Sequence, residues 1–255
     1  MPLEIVTIPC LQDNYAYIVH DAETGATAVV DVPEAAPIIA ALDARGWTLS
    51  HVWLTHHHWD HVDGLGDLLA HGPAKVWGAA DDAHRLPVLN HAFVDGDVAD
   101  FAGHSVGVFD VSGHTLGHIA FYVADAEAVF TADSLMAMGC GRLFEGTPEQ
   151  MWASLQKLME LPKTTMVYSG HEYTASNCKF ALTIDRHNPR LISRSEQIAA
   201  NRVAGLATVP SALEEECATN PFLRPFDAGI RETLNMTDAT DAEVFTEIRK
   251  RKDTF

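Results

Sequence analysis

Four potential metal ligands, His56, His58, Asp60 and His61, fall within six residues of the run Thr55-His56-His57-His58-Trp59-Asp60-His61. The apolar stretch His51-Val52-Trp53-Leu54 precedes them and predicts a strand that ends where the cluster begins. In extended backbone, side chains two apart share a side, so His56 and His58 face one site and His57 points away. Asp60 and His61 follow, ahead of the short helical pattern Leu65, Leu68 and Leu69. Two imidazoles plus a carboxylate–imidazole pair exceed what one tetrahedral ion needs. The spacing therefore points to two metals side by side, and to hydrolysis. Imidazole and carboxylate suit Zn²⁺, with Fe or Mn also compatible.

Three further candidates lie at strand-to-loop junctions. His114 sits in Val111-Ser112-Gly113-His114-Thr115-Leu116-Gly117-His118, where the flanking Gly113 and Gly117 permit a tight loop. Asp133 ends the apolar run Val129-Phe130-Thr131-Ala132, and His171 follows Val167-Tyr168-Ser169-Gly170. Ligands at strand ends are held by a rigid sheet, which gives the precision a metal site requires.

The elements that must position these residues alternate between β and α over the first two-thirds of the chain. Strands are expected at Glu4–Pro9, Ala16–His20, Thr27–Val32, His51–Leu54, Lys75–Gly78, Ser105–Val111, Ile119–Ala124, Ala128–Thr131 and Thr165–Tyr168, all short and bounded by Gly, Asp or Pro. Helices are expected at Pro33–Arg45 and Asp63–His71. Another starts at Thr147-Pro148-Glu149-Gln150, a capping box with Pro at the first helical position. After residue 171 the chain becomes helical, with Pro-containing loops. Leu191, Ile198, Ala199, Val203 and Leu206 fit one helical face, and Ser211 with Glu214 and Thr240 with Glu243 are capping-box pairs. The texture divides the chain into an α/β domain at 1–171 and a helical domain at 172–255.

Composition excludes several functions. A chain of 255 residues that is 47% hydrophobic and 20% charged suits a packed globule. The net charge of −18 disfavours nucleic acid, whose phosphates need a basic face. No apolar run approaches the length of a membrane span, and no basic-then-apolar leader opens the chain. Cys10, Cys140, Cys178 and Cys217 form no CxxC pair, so reduced thiols and a cytoplasmic location are expected. The local exception to the acidic balance is Arg249-Lys250-Arg251-Lys252, a run that a solvated helix end would also carry.

The seven ligands in order, His56, His58, Asp60, His61, His114, Asp133 and His171, resemble the HxHxDH…H…D…H pattern of the metallo-β-lactamase superfamily. That resemblance implies an α/β fold, the αββα sandwich, followed here by a small C-terminal α-helical domain. It also implies that His56, His58 and His114 bind one metal, that Asp60, His61 and His171 bind the second, and that Asp133 bridges them. Nearly the whole chain is similar to the glyoxalase II (hydroxyacylglutathione hydrolase) family. The matching segments are Asp13-Asn14-Tyr15, Thr55–His61, Gly139-Cys140-Gly141-Arg142, Ser169-Gly170-His171-Glu172-Tyr173-Thr174, Thr219-Asn220-Pro221-Phe222-Leu223-Arg224 and Arg249-Lys250-Arg251-Lys252-Asp253. The family likeness implies glutathione contacts at Arg142, Tyr173, Arg249 and Lys252. It implies hydrolysis of S-D-lactoylglutathione by a hydroxide shared between two divalent ions, most simply Zn²⁺, with Asp60 or Asp133 orienting the nucleophile and carrying its proton.

Chemistry is consistent with that role. Glutathione carries two carboxylates, and Arg249 and Lys252, three apart on a helix, would share a face toward them. A thiolate leaves without strong acid assistance, since its parent thiol has a pKa of about 8.5. Two departures stand out: Phe144 where the family often has tyrosine, and Asp63 where glycine usually follows the metal motif. A monomer with no membrane or nucleic-acid partner is expected. The competing reading is a glutathione persulfide dioxygenase or another thioester metallohydrolase of the superfamily. The helical tail with Arg249 and Lys252 weighs against the dioxygenase.

Overall fold

Two kinds of sequence texture give two kinds of architecture. The computed structural model describes residues 3–255. The chain forms two compact units: one runs up to Val111 and includes Leu116–Thr131, and the other holds Ser112–Thr115 and Ala132–Phe255. The change of texture after residue 171 thus lies inside the second unit.

The first unit is built on β1 (Glu4–Cys10), β2 (Asn14–His20), β3 (Thr27–Val30), α1 (Ala35–Arg45), β4 (His51–Trp53), α2 (Trp59–Val62), α3 (Leu65–His71), β5 (Lys75–Ala79), β6 (His91–Phe93), β7 (Val98–Phe101), β8 (His104–Asp110), β9 (Ile119–Val123) and β10 (Ala128–Ala132). Strands β1 to β6 form one sheet in sequence order. The β1-β2-β3 part is an antiparallel meander, and β3 to β6 run parallel, with Val29 opposite Val52 and Val52 opposite Val76. In parallel strands the carboxyl ends share one edge, which is where such sheets place their sites. The edge here receives Asp31 after β3 and Thr55 after β4. Ile38 and Leu42 of α1 and Leu68 of α3 bury against Ile18, Val29, Val52 and Val76 on one face. Burying each such side chain contributes roughly 1.5–3 kcal/mol. On the other face the antiparallel strands β7 to β10 stack through aromatics. Trp53 meets Phe121 at 5.4 Å, and Tyr17 meets Phe130 at 5.7 Å. The first unit is therefore layered helix, sheet, sheet.

The second unit contains β11 (Leu135–Met136), β12 (Gly139–Cys140), α4 (Pro148–Met159), β13 (Met166–Ser169), α5 (Thr174–Ile184), α6 (Pro189–Val203), β14 (Ser211–Ala212), α7 (Leu213–Thr219), α8 (Ala228–Leu234) and α9 (Asp241–Asp253). The Thr147 and Thr240 capping boxes form as expected, with Gln150 and Glu243 returning the bond. Trp152 of α4 packs on Phe245 of α9, and Phe245 on Phe222. Cys178 and Ala181 of α5 pack with Leu191 and Ile198 of α6 around Met138.

Several expectations are corrected. The strands His91–Phe93 and Val98–Phe101 were not evident, because each is short and partly exposed. Ser211 does not cap a helix with Glu214. It opens a short strand, and its hydroxyl donates to Glu216 at 2.6 Å, because a buried carboxylate needs donors more than a helix start needs a cap. The apolar face of α6 is Leu191 and Ile198 with buried Arg194 between them, whereas Ala199, Val203 and Leu206 are exposed. Arg194 is paired with Glu216 and donates to Thr219. A buried cation interrupts the hydrophobic period because its partner is buried with it.

Candidate metal centre

In the first unit, His56 and His61 are fully buried at the sheet edge. Their ring protons can be assigned from their neighbours. Asp31 accepts the Thr55 backbone N–H at 2.9 Å and the Thr55 hydroxyl at 2.8 Å, and it lies 2.8 Å from His61 Nδ1. A carboxylate accepts, so His61 carries its proton on Nδ1 and presents Nε2 as a lone pair. The Thr55 hydroxyl has spent its proton on Asp31, so at 3.0 Å it accepts from His56 Nδ1. His56 therefore also presents Nε2. That atom lies 3.2 Å from His58 Nδ1. Two nitrogens each at the Zn–N distance in a tetrahedron stand about 3.3 Å apart, so the pair fits a shared cation. Asp60 is steered by Asn14, whose Nδ2 donates to its backbone oxygen at 3.0 Å and to Oδ2 at 3.2 Å. His57, turned away, pairs with Asp82 at 2.8 Å. His118 stacks on His56 at 4.5 Å and props the ring from behind. Asp63 is exposed and helical, so the departure from glycine introduces no backbone strain.

In the second unit, His114 and His171 flank Asp133. Their Nε2 atoms lie 3.4 and 3.3 Å from the same carboxylate oxygen, Oδ2. That spacing again fits donors sharing metal ions, and all three side chains are buried. Ala132 adopts φ 40°, turning the chain out of β10 directly before Asp133. Gly113 sits at φ 147°, and a Cβ there would come 2.7 Å from Met151, so the His114 loop demands glycine. Ser154 of α4 anchors that loop by donating to the Ser112 oxygen at 2.7 Å. His114 Nδ1 lies 2.7 Å from the Arg142 carbonyl oxygen, which can only accept, so Nε2 again carries the lone pair. His171 stacks face to face with Tyr173 at 4.6 Å. Glu172 between them accepts the Thr208 N–H at 2.8 Å and pairs with Arg202 at 3.2 Å, fixing the strand end.

The expected substrate-contact residues differ in exposure. Arg142 is exposed, 3.5 Å from Asp253, and Tyr173 is exposed on one face. Lys252 is half-buried over the Phe180 and Phe255 rings, and burial pushes its ammonium below the ordinary lysine range, with Arg249 adding to the effect. Arg249 is buried. Its Nη1 donates to the Cys140 oxygen at 2.9 Å, its Nη2 pairs with Asp253 at 2.9 Å, and the guanidinium lies over Phe222. Cys140 is buried, and desolvation pushes its thiol up to about 11, so it packs and does not act as a nucleophile. Phe144 is exposed, 5.3 Å from the His114 ring.

Sequence reading missed Asp31 and gave Asn14 no role. Asp31 ends an apolar strand, as Asp133 does, and that shared placement was the available signal. Asn14 carried none, because its partner lies 46 residues away.

Residues 13–171 match the family described as the metallo-β-lactamase superfamily, and residues 172–255 match the hydroxyacylglutathione hydrolase C-terminus. The chain is 68% identical to a hydroxyacylglutathione hydrolase of Roseobacter denitrificans and 61% identical to one of Ruegeria pomeroyi, in each case over 100% of both chains. Among solved structures it resembles the BLEG-1 B3 metallo-β-lactamase (TM-score 0.67, 19% identity, 87% of this chain and 100% of that one). It also resembles a Staphylococcus aureus metallo-β-lactamase (TM-score 0.65, 19% identity, 98% of this chain and 71% of that one). These two likenesses show the metallo-β-lactamase fold. The chain's own His/Asp groups are suited to divalent metal ions.

Proposed function

This chain belongs to the hydroxyacylglutathione hydrolase family and hydrolyses hydroxyacylglutathione thioesters, and we propose that His56, His58 and His114 hold one divalent ion for that reaction, Asp60, His61 and His171 a second, and Asp133 both. The observation that carries the reading is the convergence of His114 Nε2 and His171 Nε2 on one oxygen of Asp133, each with the lone-pair spacing of a metal ligand. When bound, such ions bring a water of pKa about 7 and a Lewis acid for the thioester carbonyl oxygen. Zn²⁺ suits the donor set best, and Fe or Mn also fits it.

The chain's own residues do the rest. Asp31 and the Arg142 carbonyl fix the His61 and His114 tautomers, so that each ring offers Nε2. Asn14 holds Asp60 in place, and Asp60 or Asp133 takes the proton of the attacking water at a carboxylate oxygen. The thiolate needs no acid to leave, because its parent thiol has a pKa of about 8.5. Arg142, Lys252 and Tyr173 contact the glutathione moiety, the two cations meeting its carboxylates. Arg249 adds its charge from beneath, its guanidinium committed to the Cys140 oxygen and Asp253. The free cysteines support a reducing, cytoplasmic setting, and no helix among the described residues is long and apolar enough to cross a membrane.

The test is hydrolysis of S-D-lactoylglutathione by the purified protein, with metal content measured on the same sample. Activity rising with metal occupancy up to two ions per chain is expected. Full activity at one ion per chain or fewer would overturn the two-metal assignment.

A further inference from the structure

The segment Met136–Gly141 carries almost no secondary structure of its own. Strands β11 and β12 pair over only Leu135–Cys140 and Met136–Gly139, far too little to stand alone. The segment is also buried, so each of its polar backbone groups needs a partner. Those partners are side chains of the helical part of the second unit. Asn220 Nδ2 donates to the Met136 oxygen at 3.2 Å and to the Gly139 oxygen at 3.0 Å. Asn177 Nδ2 donates to the Ala137 oxygen at 3.1 Å. Glu216 accepts the Met138 N–H at 2.8 Å, at a residue held with φ 62°. Arg249 Nη1 donates to the Cys140 oxygen at 2.9 Å and to the Gly141 oxygen at 3.5 Å. All four side chains are buried.

The same segment lies directly against two of the proposed ligands. A Cβ on Gly141 would fall 1.9 Å from the Asp133 backbone oxygen and 2.9 Å from His114 Nδ1. Gly141 N–H donates to Ser134, beside Asp133, at 3.1 Å. The next residue, Arg142, supplies the carbonyl that fixes the His114 tautomer. A shift of this turn therefore moves the Asp133 backbone and the partner of His114 together.

We propose that Asn177, Glu216, Asn220 and Arg249 are positioning residues for Asp133 and His114, so that the helical C-terminal region sets the geometry of the metal ligands as well as meeting the substrate. This rests on the assignment of Asp133 and His114 as ligands. Donors to a ligand's partner act on metal affinity through orientation, with effects on the order of 10- to 100-fold when the partner contacts the ligand directly. The turn stands one step further back, so the lower end applies.

The experiment titrates metal-free full-length protein with Co²⁺ and follows the visible absorption that reports its coordination. Asn220→Ala and Asn177→Ala are compared with Asn188→Ala, whose hydrogen bonds go to Arg190, Leu191, Asp185 and Ala218 in the same helical region. Asn220→Ala is expected to weaken cobalt binding about tenfold and alter the spectrum. Asn177→Ala, which loses a single bond and folds where Asn220→Ala does not, shifts both in the same direction by less. In both variants kcat falls and KM for the thioester holds. Asn188→Ala lowers Tm and leaves cobalt affinity and spectrum at wild type. Wild-type titration by both clamp variants, or an equal cobalt defect in Asn188→Ala at matched Tm loss, overturns the proposal. Wild-type protein that binds no cobalt overturns the ligand assignment itself, and the clamp with it.

Discussion

The two regions that bear the proposed ligands are held by different means. In the first unit the ligands are contiguous, His56 to His61, and side chains orient them: Asp31, Thr55 and Asn14. In the second unit they are scattered over 57 residues' separation, His114 to His171, and backbone positions orient them: the Arg142 carbonyl, the turn at Ala132 and the pinned segment before Gly141. A ligand steered by a side chain can be loosened by one substitution next to it. One steered by backbone depends on whatever holds that backbone, here helices far along the chain. The first arrangement is local and legible. The second makes a separate helical region part of the metal chemistry.

The sharpest way to break this comparison is Asp133→Ala. It removes the oxygen shared by His114 and His171. Thioester hydrolysis should fall by at least ~10³-fold, beyond what loss of one oxyanion donor costs, and bound metal should drop in elemental analysis. Retained activity would end the bridging role.

Next in size is Asp31→Ala in the first unit. It frees the His61 ring and the Thr55 hydroxyl, so metal affinity should weaken about 10- to 100-fold by chelator competition. An unchanged affinity would mean that the sheet edge alone orients these rings.

Arg249→Ala should raise KM and weaken metal binding together, because the proposed reading has its charge act on the glutathione carboxylates from beneath the turn while its Nη1 supports the Cys140 oxygen. Arg142→Ala should raise KM only, by a few-fold, since an exposed charge is screened by solvent. Steady-state kinetics with metal analysis separates the two arginines.

The smallest effect concerns pH. Burial lowers the Lys252 pKa, so its positive charge is lost, as pH rises, earlier than in an ordinary lysine. KM should climb in that alkaline range and stay flatter in Lys252→Arg. A KM of equal pH dependence in both proteins would remove Lys252 from the carboxylate contacts.

Much of the first unit could be read directly. Apolar runs such as Thr27–Val32 and His51–Leu54 announced the strands found at Thr27–Val30 and His51–Trp53, and the period of two separated His57 from His56 and His58. Short edge strands such as Val98–Phe101 could not be read, because half their side chains are exposed and no periodic signal survives. In the second unit the capping boxes at Thr147 and Thr240 were visible, being local hydrogen-bond patterns. The buried cluster of Arg194, Glu216, Ser211 and Asn220 was not. Each of its residues reads as a surface polar residue until its partner is known. Arg249 was expected at the substrate, and its burial beneath the Cys140–Gly141 turn was not legible either.

The sequence by itself determined the reaction class and the family and suggested a ligand set, because metal ligation constrains residue type and spacing along single strand ends. Only the tertiary structure decided which ring nitrogen His56, His61 and His114 offer, that Asp31 and Asn14 steer the first cluster, and that four buried side chains pin Met136–Gly141. Those depend on hydrogen bonds between residues as many as 109 positions apart, and such pairings leave no periodicity or motif for a linear reading to find.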